Sequence, residues 1–249
     1  MSAMPPLVTM PPAAMRWHEK LGRLLLFATL CGLSSVGLLL GGIYLKYAPT
    51  VMAFHRLDDY QPKLGTRIYS ADNQLIGEFA IERRVLVPAE RIPKLLARAF
   101  LAAEDKRFYD HGGLDYLGMM QAVVDKVLHP REKLRGASTI TQQVAKSLLA
   151  THETYESATE RSVSRKIREA LLARHLEGAL SKDQILYMYM TQTFLGHKAY
   201  GVGAAAEHYF RKNVWELSIA EMATLAGLPQ RPSDYSPVSR PEAAWSRRR

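Results

Sequence analysis

Glu104 and Asp105 close an apolar stretch that begins at Leu101, and Phe108 and His111 follow at fixed spacing before Gly112 and Gly113. A carboxylate at the edge of an apolar wall is a natural general base, because desolvation raises its proton affinity. Taken alone, the acidic pair would be a solvated helix end and His111 a hydrogen-bonded structural residue. Three more polar groupings lie downstream. Arg135, Ser138, Thr139, Gln143 and Lys146 surround a helix start, where backbone N–H groups and the helix dipole can hold an anion. Ordinary N-capping explains Thr139 and Gln142 but leaves Gln143 and Lys146 unassigned. Arg165, Lys166, Arg168 and Glu169 form either a surface ion pair four residues apart or a basic cluster that grips phosphate with a carboxylate inside it. Lys182 with Tyr189 is by itself only part of an amphipathic helix. The sequence has no HExxH and no Cys/His ligand spacing, which argues against zinc.

These residues need elements to position them. Residues 66–87 alternate in strand fashion, with Asp72 and Asn73 between two short apolar runs, so a hairpin is expected, with a further strand from Arg84 to Val87. After Pro88 the pattern turns helical. Helices are expected over Pro93–Phe108, over Leu117–Leu128, after the Thr139/Gln142 capping box, over Ser164–Glu177, from the Ser181/Gln184 capping box to Gln192, over Gly201–Phe210, and from the Ser218/Glu221 capping box to Gly227. Ile140, Val144 and Leu148 share one face of their helix, and Thr139, Gln143 and Lys146 share another. Thr151–Glu160 reads as a polar loop, and Pro229, Pro232 and Pro237 as an extended tail.

The bulk properties narrow the partners. The chain has 249 residues, 47% of them hydrophobic, and carries a net charge of +9 with a pI of about 9.6. That length suits one well-buried domain plus something small. The basic excess suits an anionic partner or a solvated surface. Cys31 is the single cysteine, so no disulfide can form within the chain. Leu24–Leu45 is an uncharged run of 22 residues. As a helix it would reach roughly 33 Å, enough for a bilayer core of about 30 Å. Arg16, His18, Lys20 and Arg23 precede it, which puts the N-terminus in the cytoplasm and the bulk of the chain outside. An anchor is expected rather than a cleaved signal, because the run exceeds a signal-peptide apolar region and no cleavage site follows it. Residues 1–15 read as a disordered tail. Nucleic-acid binding, suggested by charge alone, fails on this topology.

The order of the motifs carries more than any one of them. Glu104, Asp105, Phe108, His111 and Gly113 are followed by Gly136, Ser138, Thr139, Ile140, Thr141, Gln142, Gln143 and Lys146. Next come Arg165, Lys166 and Glu169, then Lys182, Ile185, Leu186 and Tyr189, and last the run Ala226–Pro237. In this series the sequence resembles the peptidoglycan glycosyltransferase family, the polymerase module of class A penicillin-binding proteins, with the hairpin most like the 1A type. The resemblance runs from about residue 66 to residue 249.

It implies a mainly α fold: a lysozyme-like glycosyltransferase domain with a small N-terminal β-hairpin and a membrane-embedded jaw, preceded by one transmembrane helix. The expected layout is a cytoplasmic tail over 1–20, a transmembrane helix over 21–46, a linker and hairpin over 47–90, the catalytic domain over 91–240 and the start of a C-terminal extension over 241–249. It implies polymerisation of lipid II into β-1,4-linked glycan at the outer face of the cytoplasmic membrane, with inversion and release of polyprenyl pyrophosphate. By matching position, Glu104 is the general base, supported by Asp105, Phe108 and His111, and Glu169 is the second carboxylate. Arg135, Ser138, Thr139, Gln143, Lys146, Arg165, Lys166 and Lys182 are expected to line the substrate site. The resemblance leaves room for a divalent cation, Mg or Mn, near Glu169, and for no organic cofactor. The expected partners are lipid II, the growing glycan strand, the membrane and other cell-wall synthesis proteins.

The chain departs from the family pattern at Ser147, Tyr187 and Thr191, where Asn, Glu and Asn are usual, and the fourth motif is expected to be structural. It has no Ser-x-x-Lys or Lys-Thr-Gly, so no penicillin-reactive serine is expected, and a piece of a bifunctional enzyme is favoured over a monofunctional one. Two other readings compete. A lysozyme-like hydrolase would use Glu104 as an acid, but it has no use for cations around a pyrophosphate. A membrane-anchored scaffold would not require both Glu104 and Glu169.

Overall fold

The computed structural model describes residues 17–50, 65–79, 82–130, 138–152 and 163–248. Arg135, the N-terminal tail and all but the first two residues of the expected loop over Thr151–Glu160 lie outside the described residues. The chain divides into two units, Met1–Pro49 and Thr50–Arg249.

The first unit is a helix, α1 (Trp17–Tyr47). Its stretch Lys20–Tyr47 has a mean hydropathy of 2.1 and no buried residue. It is long and apolar enough to cross a membrane, and a helix with apolar side chains on every side needs an apolar solvent.

The second unit opens with a hairpin. β1 (Thr66–Tyr69) pairs antiparallel with β2 (Leu75–Phe79), with Ile68 opposite Gly77. The turn between them puts Asn73 at φ 61° and closes with the Ser70 N–H donating to the Gln74 carbonyl. The strand expected over Arg84–Val87 is shorter. β3 (Arg83–Arg84) pairs in parallel with β4 (Ala199–Tyr200), and the chain leaves the ladder after Arg84. It continues across the helix that follows β4, so close to Gly203 that a side chain there would collide with the Val85 carbonyl.

Helices form the rest of the described residues. α2 (Lys94–Glu104) stops earlier than expected, because Asp105 leaves helical dihedrals at φ −154°, ψ 80°. A separate 3₁₀ turn then covers Phe108–Asp110. α3 (Tyr116–Leu128) is capped by Asp115, which accepts the Gly118 N–H. α4 (Ile140–His152) starts at the expected capping box: Gln142 N–H donates to Thr139 Oγ1, and Thr139 N–H donates to Gln142 Oε1. α5 (Val163–Ala179) and α6 (Lys182–Gln192) follow, the latter opened by the Ser181/Gln184 box. α7 (Gly201–Phe210), α8 (Ile219–Gly227) and α9 (Pro241–Arg248) complete the chain.

α6 is the central helix. Ile185, Leu186 and all of Met188–Gln192 are buried. α4 packs on both α5 and α6, α2 packs on α8, and α9 packs on α8. Ile140, Val144 and Leu148 of α4 enter the core as their spacing requires, joined by Leu96 and Phe100 of α2 and Leu172 and Leu176 of α5. Each such side chain contributes about 1.5–3 kcal/mol of burial. The tail after α8 corrects the sequence expectation. It is not extended but folded into turns, with Arg231 N–H donating to Leu228 O, Tyr235 N–H to Arg231 O, and Ser236 wholly buried.

Candidate active site

The end of α2 and the start of α4 meet at the acidic pair. Glu104, the last residue of α2, accepts a hydrogen bond from the Gln143 amide at 2.9 Å. Burial pushes its carboxyl above the ordinary carboxylate value, and the neighbouring Asp105 charge adds to this; the Gln143 bond and the Arg247 guanidinium act in the opposite sense. The balance gives a carboxyl of raised basicity that still faces an open pocket of about 380 Å³, shared with Asp125, Ser138 and Thr139. That is the property a general base requires.

Asp105 points the other way. It is buried, accepts the Ile140 N–H at 3.0 Å at the first turn of α4, and lies 3.1 Å from His111 Nε2 through both oxygens. A carboxylate there is favoured by the unpaired N–H groups and dipole of the helix. Thr139 Oγ1 donates to the Gly113 carbonyl at 2.6 Å, tying the same loop to α4. Gly113 has φ 87°, and a Cβ there would stand 3.0 Å from the Ala173 carbonyl, so glycine is required on both counts. Phe108, fully buried, packs edge-on against His111 at 6.3 Å between centroids.

The second carboxylate is bracketed by cations. Glu169 is buried, with Arg165 Nε at 3.2 Å from Oε1 and Lys166 Nζ at 3.1 Å from Oε2. Arg165 and Glu169 therefore make no surface pair. Lys166 also donates to Ser138 Oγ at 3.0 Å. Ser138 thus lines the Glu104 pocket and touches the basic cluster, which joins the two carboxylates through the start of α4. Lys146 is exposed, about one turn beyond Gln143.

Lys182 is placed differently from the others. Its ammonium donates to the His111 carbonyl at 2.6 Å and to Glu177 at 2.9 Å, and lies 4.3 Å from the Phe108 ring centroid. Among the described residues, no three His, Cys, Asp or Glu side chains gather as metal ligands. Glu169 would be the single protein carboxylate for a divalent ion, which suits an ion that completes its shell with substrate phosphates and water.

Sequence reasoning did not single out Glu177, nor Arg174, whose Nη1 donates to the Gly112 carbonyl at 3.3 Å. Thr141 and Gly112, which they hold, lie far away in the chain, and Lys182 lies across the break between α5 and α6, so no periodic template shows these contacts. Tyr189 belongs to the fourth motif of the resemblance, with no role in the site expected of it. It is buried behind the acidic pair, and burial, with the Glu104 charge adding to it, raises its phenol. The departures from the family pattern have local partners. Tyr187 donates to the Val87 carbonyl at 3.2 Å, and Thr191 Oγ1 donates back to Tyr187 O at 3.0 Å. The Tyr187 side chain serves the contact between α6 and the segment after β3, whereas the Thr191 hydroxyl bonds back to carbonyls of α6 itself. Nothing in the structure explains Ser147.

Residues 72–249 match the family described as Transglycosylase. The chain is 47% identical over 212 residues to penicillin-binding protein 1A of Neisseria flavescens, covering 85% of this chain and 25% of that protein. It is 46% identical over 198 residues to penicillin-binding protein 1A of Rickettsia felis, covering 78% and 24%. A crystal structure of penicillin-binding protein 1A from Haemophilus influenzae aligns with a TM-score of 0.38 and 26% identity, over 76% of this chain and 17% of that one. The chain spans about a quarter of the length of the curated relatives it matches.

Proposed function

The chain belongs to the transglycosylase family, and from that premise we propose that it is a peptidoglycan glycosyltransferase, which joins lipid II units into a β-1,4-linked glycan with inversion and release of polyprenyl pyrophosphate. The observation that carries this reading is the pairing of a desolvated carboxyl, Glu104, with a cation-bracketed carboxylate, Glu169, through the start of α4.

Each residue then has a task. Glu104 takes the proton from the acceptor's sugar hydroxyl as it attacks the anomeric carbon. Gln143 fixes the direction of its carboxylate. Asp105 and His111 hold the loop that follows, and Phe108 wedges that loop into the core. The leaving pyrophosphate departs as an anion. Arg165 and Lys166 supply charge that is held beside Glu169 before the reaction, which stabilises developing charge better than mobile water, and Arg135 and Lys146 of the same motif series would add to it. Thr139 caps the start of α4, and Ser138 beside it accepts from Lys166. A divalent ion, where one binds, would be held by Glu169 with the pyrophosphate and would neutralise the leaving group.

The substrate is carried by a lipid, and two features fit that. α1 keeps the chain at a membrane and so raises the effective concentration of a membrane-borne substrate. α3 turns one face to the pocket through Gly118, Gln121, Ala122 and Asp125. Its other side exposes Leu117, Met120, Val123 and Val127, an apolar stripe suited to lipid. The cations that precede the apolar run of α1 favour an N-terminus in the cytoplasm and a catalytic domain outside it.

The purified chain in detergent, given labelled lipid II, is expected to yield lysozyme-sensitive glycan and free polyprenyl pyrophosphate. Failure to polymerise lipid II, together with cleavage of preformed glycan, would make the chain a hydrolase. Failure in both would leave a scaffold.

A further inference from the structure

Glu177 is a buried carboxylate with no part in the chemistry described above, and it sits where four segments meet. Its side chain is 8% exposed. Its Oε1 accepts Thr141 Oγ1 at 2.6 Å from the first turn of α4. The same oxygen accepts Lys182 Nζ at 2.9 Å from the first turn of α6. Lys182 passes the contact on to the His111 carbonyl at 2.6 Å. The His111 ring reaches Asp105, and Asp105 accepts the N–H of Ile140, the residue before Thr141. The bonds therefore close a ring: Asp105, His111, Lys182, Glu177, Thr141 and back through Ile140.

We propose that Glu177 is a positioning residue for the reaction at Glu104: by closing this ring it fixes the loop carrying His111 against the start of α4, and so holds Asp105 and its neighbour Glu104 in register with Gln143. The proposal rests on the glycosyltransferase reading above. It also gives Lys182 a role inside the protein, in place of the substrate contact that its motif suggested. Geometry favours this role. The ammonium has three donors, two of which are spent on Glu177 and the His111 carbonyl, and its charge lies over the Phe108 ring. The contact with the loop is tight as well. Glu177 Cγ lies 3.0 Å from where a Gly113 Cβ would stand, and Arg174, one turn earlier on α5, holds the Gly112 carbonyl. α6 and α5 together therefore grip His111, Gly112 and Gly113 in succession, through Lys182 of α6 and Arg174 and Glu177 of α5.

Removing one charge of a buried pair leaves the other uncompensated, so the test removes both. In the double variant Glu177→Gln with Lys182→Met, the apolar stem over Phe108 is kept and no lone charge is buried. Thr141→Val is a milder variant that removes one arm of the ring and keeps the shape. Both are expected to bind the phosphoglycolipid donor mimic moenomycin within about twofold of the parent. Their kcat on lipid II is expected to fall, on the order of 10²-fold for the double variant, as misplacement of a catalytic group does, and less for Thr141→Val. The proposal is overturned if both variants turn over at the parent kcat. It is equally overturned if moenomycin affinity falls in step with kcat, since Lys182 would then touch the ligand. A parent chain that does not polymerise lipid II would contradict the glycosyltransferase reading and not the ring. The ring is then read by imidazole NMR: the His111 resonances must move in both variants, and unchanged resonances would refute the coupling.

Discussion

At the scale of the residue, Glu104 holds the tension between stability and activity. Its carboxyl is desolvated, so ionising it costs the folded protein more than it costs the unfolded chain. A carboxyl whose pKa is raised on folding gives stability that is present below the unfolded value and lost as pH rises through the folded one. Glu104→Gln removes that cost and keeps an oxygen for the Gln143 amide. The variant is expected to show a higher thermal midpoint than the parent at pH 7, with the gap closing as pH falls below the ordinary carboxyl range. A variant no more stable at pH 7, measured by calorimetry across that range, would mean the carboxyl is not strained where it sits. The same shift requires the acidic limb of kcat/KM to lie above the ordinary Glu value. The sequence showed this part of the site well: Glu104, Asp105, Phe108 and His111 sit within eight positions, and one helix end and one 3₁₀ turn bring them together. It did not show Glu177 as a partner of Thr141 and Lys182, because these contacts form only as α4, α5 and α6 pack.

At the scale of the element, helix starts were legible and strand ends were not. Thr139, Ser181 and Ser218 each satisfy a free N–H of the first turn, and the three boxes form as their spacing dictates. β3 has only two residues because its partner β4 is equally short, which no local pattern reveals. The proline-rich tail follows neither pattern, since Ser236 is drawn into the interior and accepts the Val238 and Ser239 N–H groups. α3 is the element whose pattern asks for something outside the protein. None of its residues is buried, though it is mostly apolar. Met120→Asp with Val127→Asp changes only exposed side chains, so the thermal midpoint should stay within about 2 °C, as surface substitutions do. Turnover of full-length lipid II in vesicles should fall at least about tenfold, by the cost of bringing charge into an apolar layer. Turnover of a short-chain, water-soluble lipid II analogue should persist. Equal loss on both substrates would assign the stripe to folding or to the sugar site instead.

At the scale of the whole molecule, the sequence pattern separates an apolar helix, long enough to cross a membrane, from a basic, mainly helical region. In the structure the chain divides into two units at Pro49. The positive charge finds its use in the second unit, where Arg165 and Lys166 surround a buried carboxylate next to the pocket of a raised one. Such an arrangement is costly to fold, and the proposed reaction, which expels pyrophosphate while a hydroxyl loses its proton, would account for it. The most direct measurement is single-turnover transfer from labelled lipid II by the parent chain and by Glu104→Gln, with moenomycin affinity determined on the same preparations. The account predicts that the variant binds moenomycin as the parent does and forms glycan at least about 10³-fold more slowly, within the range lost when a general base is removed. Glycan formed by the variant at the parent rate would contradict it.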